Sequence, residues 1–596
     1  MSQPGGFFIP EKISSAVKPP RIPPPAEGIQ VNFCKNPRCA NYGVPALDFV
    51  SRGRLGPHDQ YALSPSKDQW GYKFQLGCQR CLERPPIKSN LGIAEERARL
   101  ARDLAVRSQP GCPNATCANH SVPAGAGDAY QGFGRTHSGS PRFRCKRCGK
   151  TFTVGRPTLR QRAPHKNRTI FLLLMNKSPL RRICEVADIA PPGLYGKIEF
   201  LASQCQAFVA DRERKLVEGM PTRRLYLATD RQDYVVNWSR ETDRRNVVLH
   251  AVGTADSETG YVFGMHLNYD ESLNIDAMEA EAKASGDLDV RRPFRRYARC
   301  WLAADYAESL RFRSAGSQKG RKLHQDIQDA YDEAQERDDI EVFETQDANR
   351  RLPTKGVQIH AEYTLYGHIF YLRQLFSGVE KLRFFLDQDA GMRAACLSAF
   401  QPEIAARTAD AFYVRIAQKL SVPEKRAAIA ESRQAFAMAR QAHPDLTENA
   451  VKLLLIKERM ADMAAIGRWR DRWLTHPFPH MSEPRKAVCY LTDYGDYDPD
   501  HLAWLYHKAT LHPIDNFFMQ VRRRLSLLER PFDTPSQRGR VWSGYSPYNP
   551  AMIQKVLAIF RVFYNYCLVG QQGKTPAMRL GLAKGKVDLE DVIYFA

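Results

Sequence analysis

The feature that most constrains this chain is a cysteine module that occurs twice near its start. Cys34-KNPR-Cys39-ANYGVPA returns as Cys112-PNAT-Cys117-ANHSVPA, and each copy is closed by a C-x-x-C pair, Cys78/Cys81 and then Cys145/Cys148. One small unit has been duplicated. Two short cysteine loops facing each other across a variable segment supply four soft ligands in a tetrahedron, the geometry zinc prefers. The sequence therefore predicts two zinc ribbons with two structural Zn2+ ions. One set is Cys34, Cys39, Cys78 and Cys81, and the other is Cys112, Cys117, Cys145 and Cys148. His120 aligns with Tyr42 in the repeat and is not counted as a ligand. Disulfides or incidental buried thiols fit less well, because 14 cysteines in 596 residues make no disulfide-dense scaffold and eight of them fall into these spaced pairs.

Charge narrows the choice of partner. Lys and Arg total 87 against 65 Asp and Glu, a formal net charge of +22, which favours a polyanion. Double-stranded DNA leads, with an anionic membrane surface as the alternative. No apolar run reaches the roughly 18 residues needed to span a bilayer, and the start lacks the basic-then-apolar layout of a signal peptide. The expectation is a chain that neither spans a membrane nor is secreted.

Composition divides the chain. Residues 1–30, with seven prolines and few large apolar groups, read as a flexible arm. Ribbon 1 occupies 31–92, a linker helix 93–107 and ribbon 2 residues 108–160. The basic run from Arg142 through Arg144, Lys146 and Arg147 to Lys150 suggests that ribbon 2 also touches phosphate. Residues 161–215 read as short helices with a tight turn at Pro191-Pro192-Gly193, a helix-turn-helix-like unit offering Arg181, Arg182, Tyr195 and Lys197 to a groove. From about 220 the texture becomes α/β. A three-strand meander runs through RRLYLATD, NVVLHAVGTA and YVFGMHLNY, and KLRFFLD and AFYVRI add further strands. Insertions are expected at about 271–355 and 420–505, with Glu424 to Trp473 almost wholly helical.

Metal-assisted phosphodiester chemistry needs carboxylates that converge on hard cations, and oxygen ligands at strand ends hold such cations rigidly. Asp230 follows the apolar LYLA, and Asp387 follows KLRFF. Asp515 lies beside the apolar stripe of IDNFFMQVRRRLSLLE, and Arg522, seven residues on, shares its helix face. An Asp after a strand is more often a turn or capping residue than a ligand, so the order of the three carries the reading. Asp389 and Asp305 compete for the second position and Glu529 for the third.

These pieces resemble the bacterial insertion-sequence transposases of the DDE type. The matching stretches are RFRCKRCGKTFTVGRPT, LYLATDRQDYVVNW, FFLDQDAG, DNFFMQVRRR and KTPAMRLGLAKG, spread over about residues 34 to 586. The resemblance implies an α/β multidomain protein in which a zinc ribbon and a helix-turn-helix precede an RNase H-like mixed sheet, here residues 220–596; this chain departs from the family in carrying two zinc ribbons and in long helical insertions before Asp387 and between Asp387 and Asp515. It implies catalytic Asp230, Asp387 and Asp515 holding two Mg2+ or Mn2+, and Arg522, Arg523 and Arg524 as a basic DNA-contacting run. It further implies cleavage at element ends and strand transfer into target DNA, a homo-oligomer, and a bacterial cytoplasm close to the nucleoid. The family's third acid is usually Glu. An Asp here means that the helix sits closer, the metal site is altered, or the catalytic residue lies elsewhere. The competing expectations are a catalytically inactive DNA-binding relative and a metal-dependent nuclease that cuts without joining.

Overall fold

The computed structural model describes residues 20–47, 60–68, 71–102, 110–124, 128–137, 140–155, 161–220, 222–310, 323–336, 349–417, 420–467, 470–529, 542–570 and 572–595. It is a mixed α/β structure in which both cysteine modules precede one large sheet. Among the described residues no helix is long and apolar enough to cross a membrane.

The sheet has eight strands: β1 (Arg224–Val236), β2 (Val247–Asp256), β3 (Val262–Leu267), β4 (Lys381–Asp387), β5 (Ala409–Ile416), β6 (Ala464–Ile466), β7 (Asp471–Thr475) and β8 (Lys486–Tyr490). Their order is β6-β7-β8-β5-β4-β1-β2-β3. The expected meander is the run β1-β2-β3, antiparallel throughout, while β4 lies parallel to both β1 and β5. The central strands β4 and β5 and the edge strand β3 are buried on both faces, which explains why FFL, AFYV and VFGMHL read as apolar runs without alternation.

Three sequence expectations change here. The first strand does not stop at Asp230: it continues to Val236, paired with β2 after its pairing with β4 has ended at Thr229. The stretch to Trp473 is not wholly helical. After helices α7 (Val422–Ala442) and α8 (Glu448–Ala461) the chain makes β6 and β7, and Trp473 is fully buried between Tyr331 and Tyr413. The proline-rich segment is packed from its first described residues. Ile22 and Ile29 are buried, and the Asn90 amide donates to the carbonyls of Pro23 and Pro24, at 3.0 Å each. Residues 1–19 of the expected arm lie outside the described residues.

The two modules share more than cysteine spacing. In the first, the Tyr61 hydroxyl donates to the carbonyls of Asn41 (2.9 Å) and Val44 (2.6 Å) and accepts from the Cys34 amide (2.9 Å). In the second, Tyr130 repeats this with Asn119, Val122 and Cys112. Asn41 and Asn119 each donate to a cysteine sulfur, Cys78 at 3.2 Å and Cys145 at 3.4 Å. Duplication has kept the outer shell that orients the ligands as well as the ligands themselves.

The modules differ in how they are held. The first is joined to helix α1 (Asn90–Ala101), which Ser89 caps through the Gly92 amide and which packs along helix α5 (Ala361–Leu375). The Tyr42 hydroxyl donates to the Leu397 carbonyl (2.8 Å), and Arg393 pairs with Glu83 (2.9 Å). The expected linker helix is thus part of the core. Its Glu96 is fully buried and receives hydrogen bonds from Arg99 (2.8 Å), Arg299 (3.0 Å) and Thr364 (3.0 Å). Glu96→Ala would leave the buried Arg99 guanidinium without its carboxylate, while Arg299 keeps Glu95 (3.2 Å) and Asp270 (3.4 Å), so the urea midpoint should fall by the equivalent of about 3 kcal/mol. A midpoint within error of the native value would show that this network is solvated. Each module has a small core around its cysteines, with Tyr61 in the first and Tyr130 in the second, and the first is joined to the main core by the contacts of Tyr42, Glu83 and α1.

Candidate functional site

The sheet's topology brings Asp230 and Asp387 together. The last paired position between parallel strands β1 and β4 is Thr229 with Leu386, so the next residue on each strand is one of these two acids. Residues at equivalent positions on adjacent parallel strands point to the same face, with the strands about 4.8 Å apart. Helix α9 (His512–Arg524) packs on β1 and β2 over that face and carries Asp515 in its first turn. All three acids line one cleft of about 720 Å3, together with Arg231, Arg350 and Arg522. Below, the sheet is fixed by a buried chain on its opposite face. The Thr229 and Thr254 hydroxyls lie 2.8 Å apart, and Thr254 is 2.8 Å from Nε2 of His368.

Burial dominates the electrostatics of the three acids in the cleft. Burial, followed by repulsion from Asp387 and Asp515, pushes the Asp230 carboxyl well above the usual carboxylate range. Burial and then Glu483 and Asp387 push Asp515 up to about 6, although Arg522 opposes the shift. Asp387 is also raised, mainly by burial, with Arg415 opposing. Carboxylates that raise one another's proton affinity in a shared cleft are what a hard cation would neutralise, so this donor set fits Mg2+ or Mn2+. The acids are less tightly drawn together than the cysteines. Among the described residues, only the two cysteine sets bring ligand atoms of three or more His, Cys, Asp or Glu residues within 4.8 Å of one another.

The shift at Asp515 has a sign that can be tested. A carboxyl held at about 6 in the folded chain, against 3.8 ordinarily, binds its proton more tightly when folded. Its stabilising contribution is complete below the ordinary value and is lost as pH rises through the folded one. In the absence of divalent cations Asp515→Asn should therefore be more stable than the native chain at neutral pH, by on the order of 1 kcal/mol, with no advantage in acid. A lower urea midpoint for the variant at neutral pH would contradict this.

The competing acids have other partners. Asp389 caps helix α6 (Ala390–Ala399) through the Met392 amide (3.0 Å) and lies 3.4 Å from Arg231. Asp305 sits between Arg292 (3.1 Å) and Arg295 (2.9 Å) in the first insertion. Glu529 lines the cleft but pairs with Lys177 at 2.8 Å. Two acids near the site escaped the sequence reading. Asp233 lines the cleft, bonds Nδ1 of His250 at 2.6 Å, and is drawn down to about 2 by that partner despite burial. Strand alternation puts a residue three places after Asp230 on the other face of β1, so its spacing carried no signal. Glu483 is buried and accepts from Thr510 Oγ1 (2.7 Å) and the amides of Leu511 (2.7 Å) and His512 (3.0 Å), fixing the start of α9. Nothing in its local sequence marks this role.

Both cysteine sets can hold a metal ion. Sulfur separations are 3.4 Å for Cys34/Cys81, 3.7 Å for Cys39/Cys78, 3.2 Å for Cys112/Cys148 and 3.9 Å for Cys117/Cys145. A tetrahedral zinc with sulfurs at about 2.3 Å would set them about 3.8 Å apart. The hydrogen bond with Cys34 helps hold the Cys81 thiol at about 5, toward the thiolate that a metal requires.

The predicted basic residues scatter over three places. On the second module Arg144, Lys146, Arg147 and Lys150 are exposed, and the guanidinium groups of Arg142 and Arg144 lie 5.3 and 6.0 Å from the ring centre of exposed Phe133. In the helical unit, α2 (Asn167–Met175), α3 (Leu180–Ala187) and α4 (Pro191–Val217) follow in sequence. Arg181 and Arg182 are exposed on α3 beside Glu185, and Tyr195 is exposed. Lys197 is a correction. It is 6% exposed, and its ammonium donates to the carbonyls of Arg162 and Ala163, so it braces the unit from inside and is not presented to DNA. Of the arginine run, Arg522 faces the cleft, Arg523 is exposed, and Arg524 stacks over Phe563 at 5.7 Å.

A scan against protein-family models finds no match to the chain, and a search of curated proteins returns none either.

Proposed function

We propose that this protein is a DNA transposase of the DDE class, here with three aspartates, that cuts DNA at element ends and joins the freed ends to target DNA. The observation that carries this reading is the convergence of Asp230, Asp387 and Asp515, from two parallel strands and a covering helix, in one cleft that also holds Arg522. These acids would hold divalent cations, Mg2+ or Mn2+, whose Lewis acidity activates the attacking oxygen and stabilises the leaving one. The acids carry the compensating negative charge. Arg522, with Arg231 and Arg350 on the same walls, orients the phosphate by charge-assisted hydrogen bonds. In the first step a water oxygen bonds to phosphorus and the phosphorus to 3′-oxygen bond breaks, leaving a 3′-hydroxyl. That hydroxyl then attacks a phosphorus of target DNA, displacing another 3′-oxygen, so no external energy source is required.

In this reading both cysteine sets hold structural Zn2+, the second module and the exposed Arg181 and Arg182 grip double-stranded DNA, and the sheet is the RNase H-like core. The test is a supercoiled plasmid carrying the DNA that flanks the coding sequence in its genome, incubated with full-length protein and Mg2+. Nicks at fixed positions in the flanks, followed by joined products, are expected. Binding without nicks would favour the inactive DNA-binding relative, and cutting without joining would favour a nuclease.

A further inference from the structure

We propose that the loop 542–549 is a stacking platform for unpaired DNA bases at the edge of the acid-lined cleft. The proposal rests on the reading of that cleft as a DNA site. Six aromatic side chains are exposed among the described residues, and three of them fall in this one loop: Trp542 (46% exposed), Tyr545 (50%) and Tyr548 (54%). Single exposed rings are ordinary on a protein surface, whereas three within seven residues concentrate apolar area in water where a ligand could cover it.

The backbone that carries the rings is fixed. Asn237, buried directly after β1, donates through its side-chain amide to the carbonyls of Ser543 (2.6 Å) and Ser546 (3.1 Å) and accepts from the Ser543 amide (3.2 Å). Its own backbone N–H donates to the Pro547 carbonyl (2.9 Å). A Cβ on Gly544 would stand 3.8 Å from the Trp542 ring, so that ring already lies over the loop's own turn. Groups held in place before binding lose little freedom when a partner stacks on them.

Position and charge select the ligand. Ser546, between Tyr545 and Tyr548 in the chain, lines the cleft with Asp230, and the arginines 231, 350 and 522 line it too. On the other side, Arg182 of α3 lies close enough to Tyr545 for the two to interact electrostatically. Cations on both sides favour a polyanion over an apolar partner. The outside of a duplex presents sugars and phosphates, so the part of DNA that matches a ring is the face of an unpaired base. Asn237 is seven residues beyond Asp230, at most about 23 Å along the strand. A stacked DNA strand rises about 3.4 Å per nucleotide, which puts the platform within about seven nucleotides of a phosphate held at Asp230.

The test is fluorescence anisotropy of labelled oligonucleotides with the full-length, zinc-loaded chain in the absence of Mg2+. An oligodeoxythymidine of about 16 nucleotides should bind at least about 10-fold more tightly than an abasic strand of the same length. Trp542→Ala and Tyr545→Ala should each weaken oligodeoxythymidine binding by about 10-fold, with Trp542→Phe close to native. Binding of a blunt duplex and the slope against salt, which phosphate contacts set, should stay as they are. All three rings are exposed, so these variants should unfold at the native midpoint. Native affinity of both alanine variants for oligodeoxythymidine, or equal losses on the abasic strand, overturns the proposal. A changed oligomeric mass with unchanged DNA affinity would assign the rings to a protein contact and overturns it as well. Plasmid nicking with Mg2+ keeps the two failures apart: nicking by a chain that binds without regard to bases removes the platform and leaves the cutting site, while base-dependent binding without nicking supports the platform and removes the cutting site.

Discussion

Asp387→Ala is expected to lower metal-dependent strand cleavage by on the order of 10³-fold or more, because groups that act as a unit lose nearly all their effect when one is removed. Binding of the same DNA should be unchanged, since the basic residues of the second module and of α3 are far from this change in sequence and lie on other elements. The variant should also remain folded. Removing one of three carboxylates that repel one another relieves strain in the metal-free chain, as the raised proton affinities of Asp230 and Asp515 indicate. Loss of cleavage with a metal-free unfolding midpoint at or above the native one and with native DNA affinity is therefore the expected pattern. Retained cleavage would remove Asp387 from the mechanism.

The second large effect concerns the two modules, which should respond differently to loss of their cysteines. Structural zinc contributes about 10–16 kcal/mol of apparent binding energy in small modules. Cys34→Ser should spread its damage, because the first module is bound to the main core through Tyr42, Glu83 and α1. Cys112→Ser should unfold a unit with its own core and leave the main unfolding transition in place. Its cost should fall on DNA affinity. With the five cations Arg142, Arg144, Lys146, Arg147 and Lys150 displaced, the slope of log affinity against log salt should shrink by up to about 4.5. Calorimetric unfolding and a salt titration of DNA binding measure the two effects. Equal destabilisation by both substitutions, with an unchanged salt slope, would contradict the division of labour.

The residues most legible in the sequence were those whose chemistry repeats or ends a pattern. The cysteines declared themselves by spacing, and Asp230 and Asp387 stood out by following apolar runs that read as buried strands and are strands. The extent of β1 was not legible, because Arg231, Gln232 and Asp233 turn polar where the strand leaves β4 and lines the cleft, although pairing with β2 continues. Short strands β6 and β7 were lost beside two long helices, since three to five apolar residues carry no decisive period. Lys197 misled because a lysine on an amphipathic helix is ordinarily exposed, and here the backbone at 162–163 covers it. Glu483 was invisible because it acts on α9 from a segment distant in sequence, by capping its first turn.

The measurement that tests the central claim most directly is anomalous scattering from crystals of the full-length chain soaked in Mn2+. The account predicts Mn2+ bound among Asp230, Asp387 and Asp515, with a second ion about 3.5–4 Å from the first once DNA is present. A cleft that binds no Mn2+, or ions held elsewhere with Asp515 turned away from the other two acids, would contradict it and leave a DNA-binding protein without the chemistry.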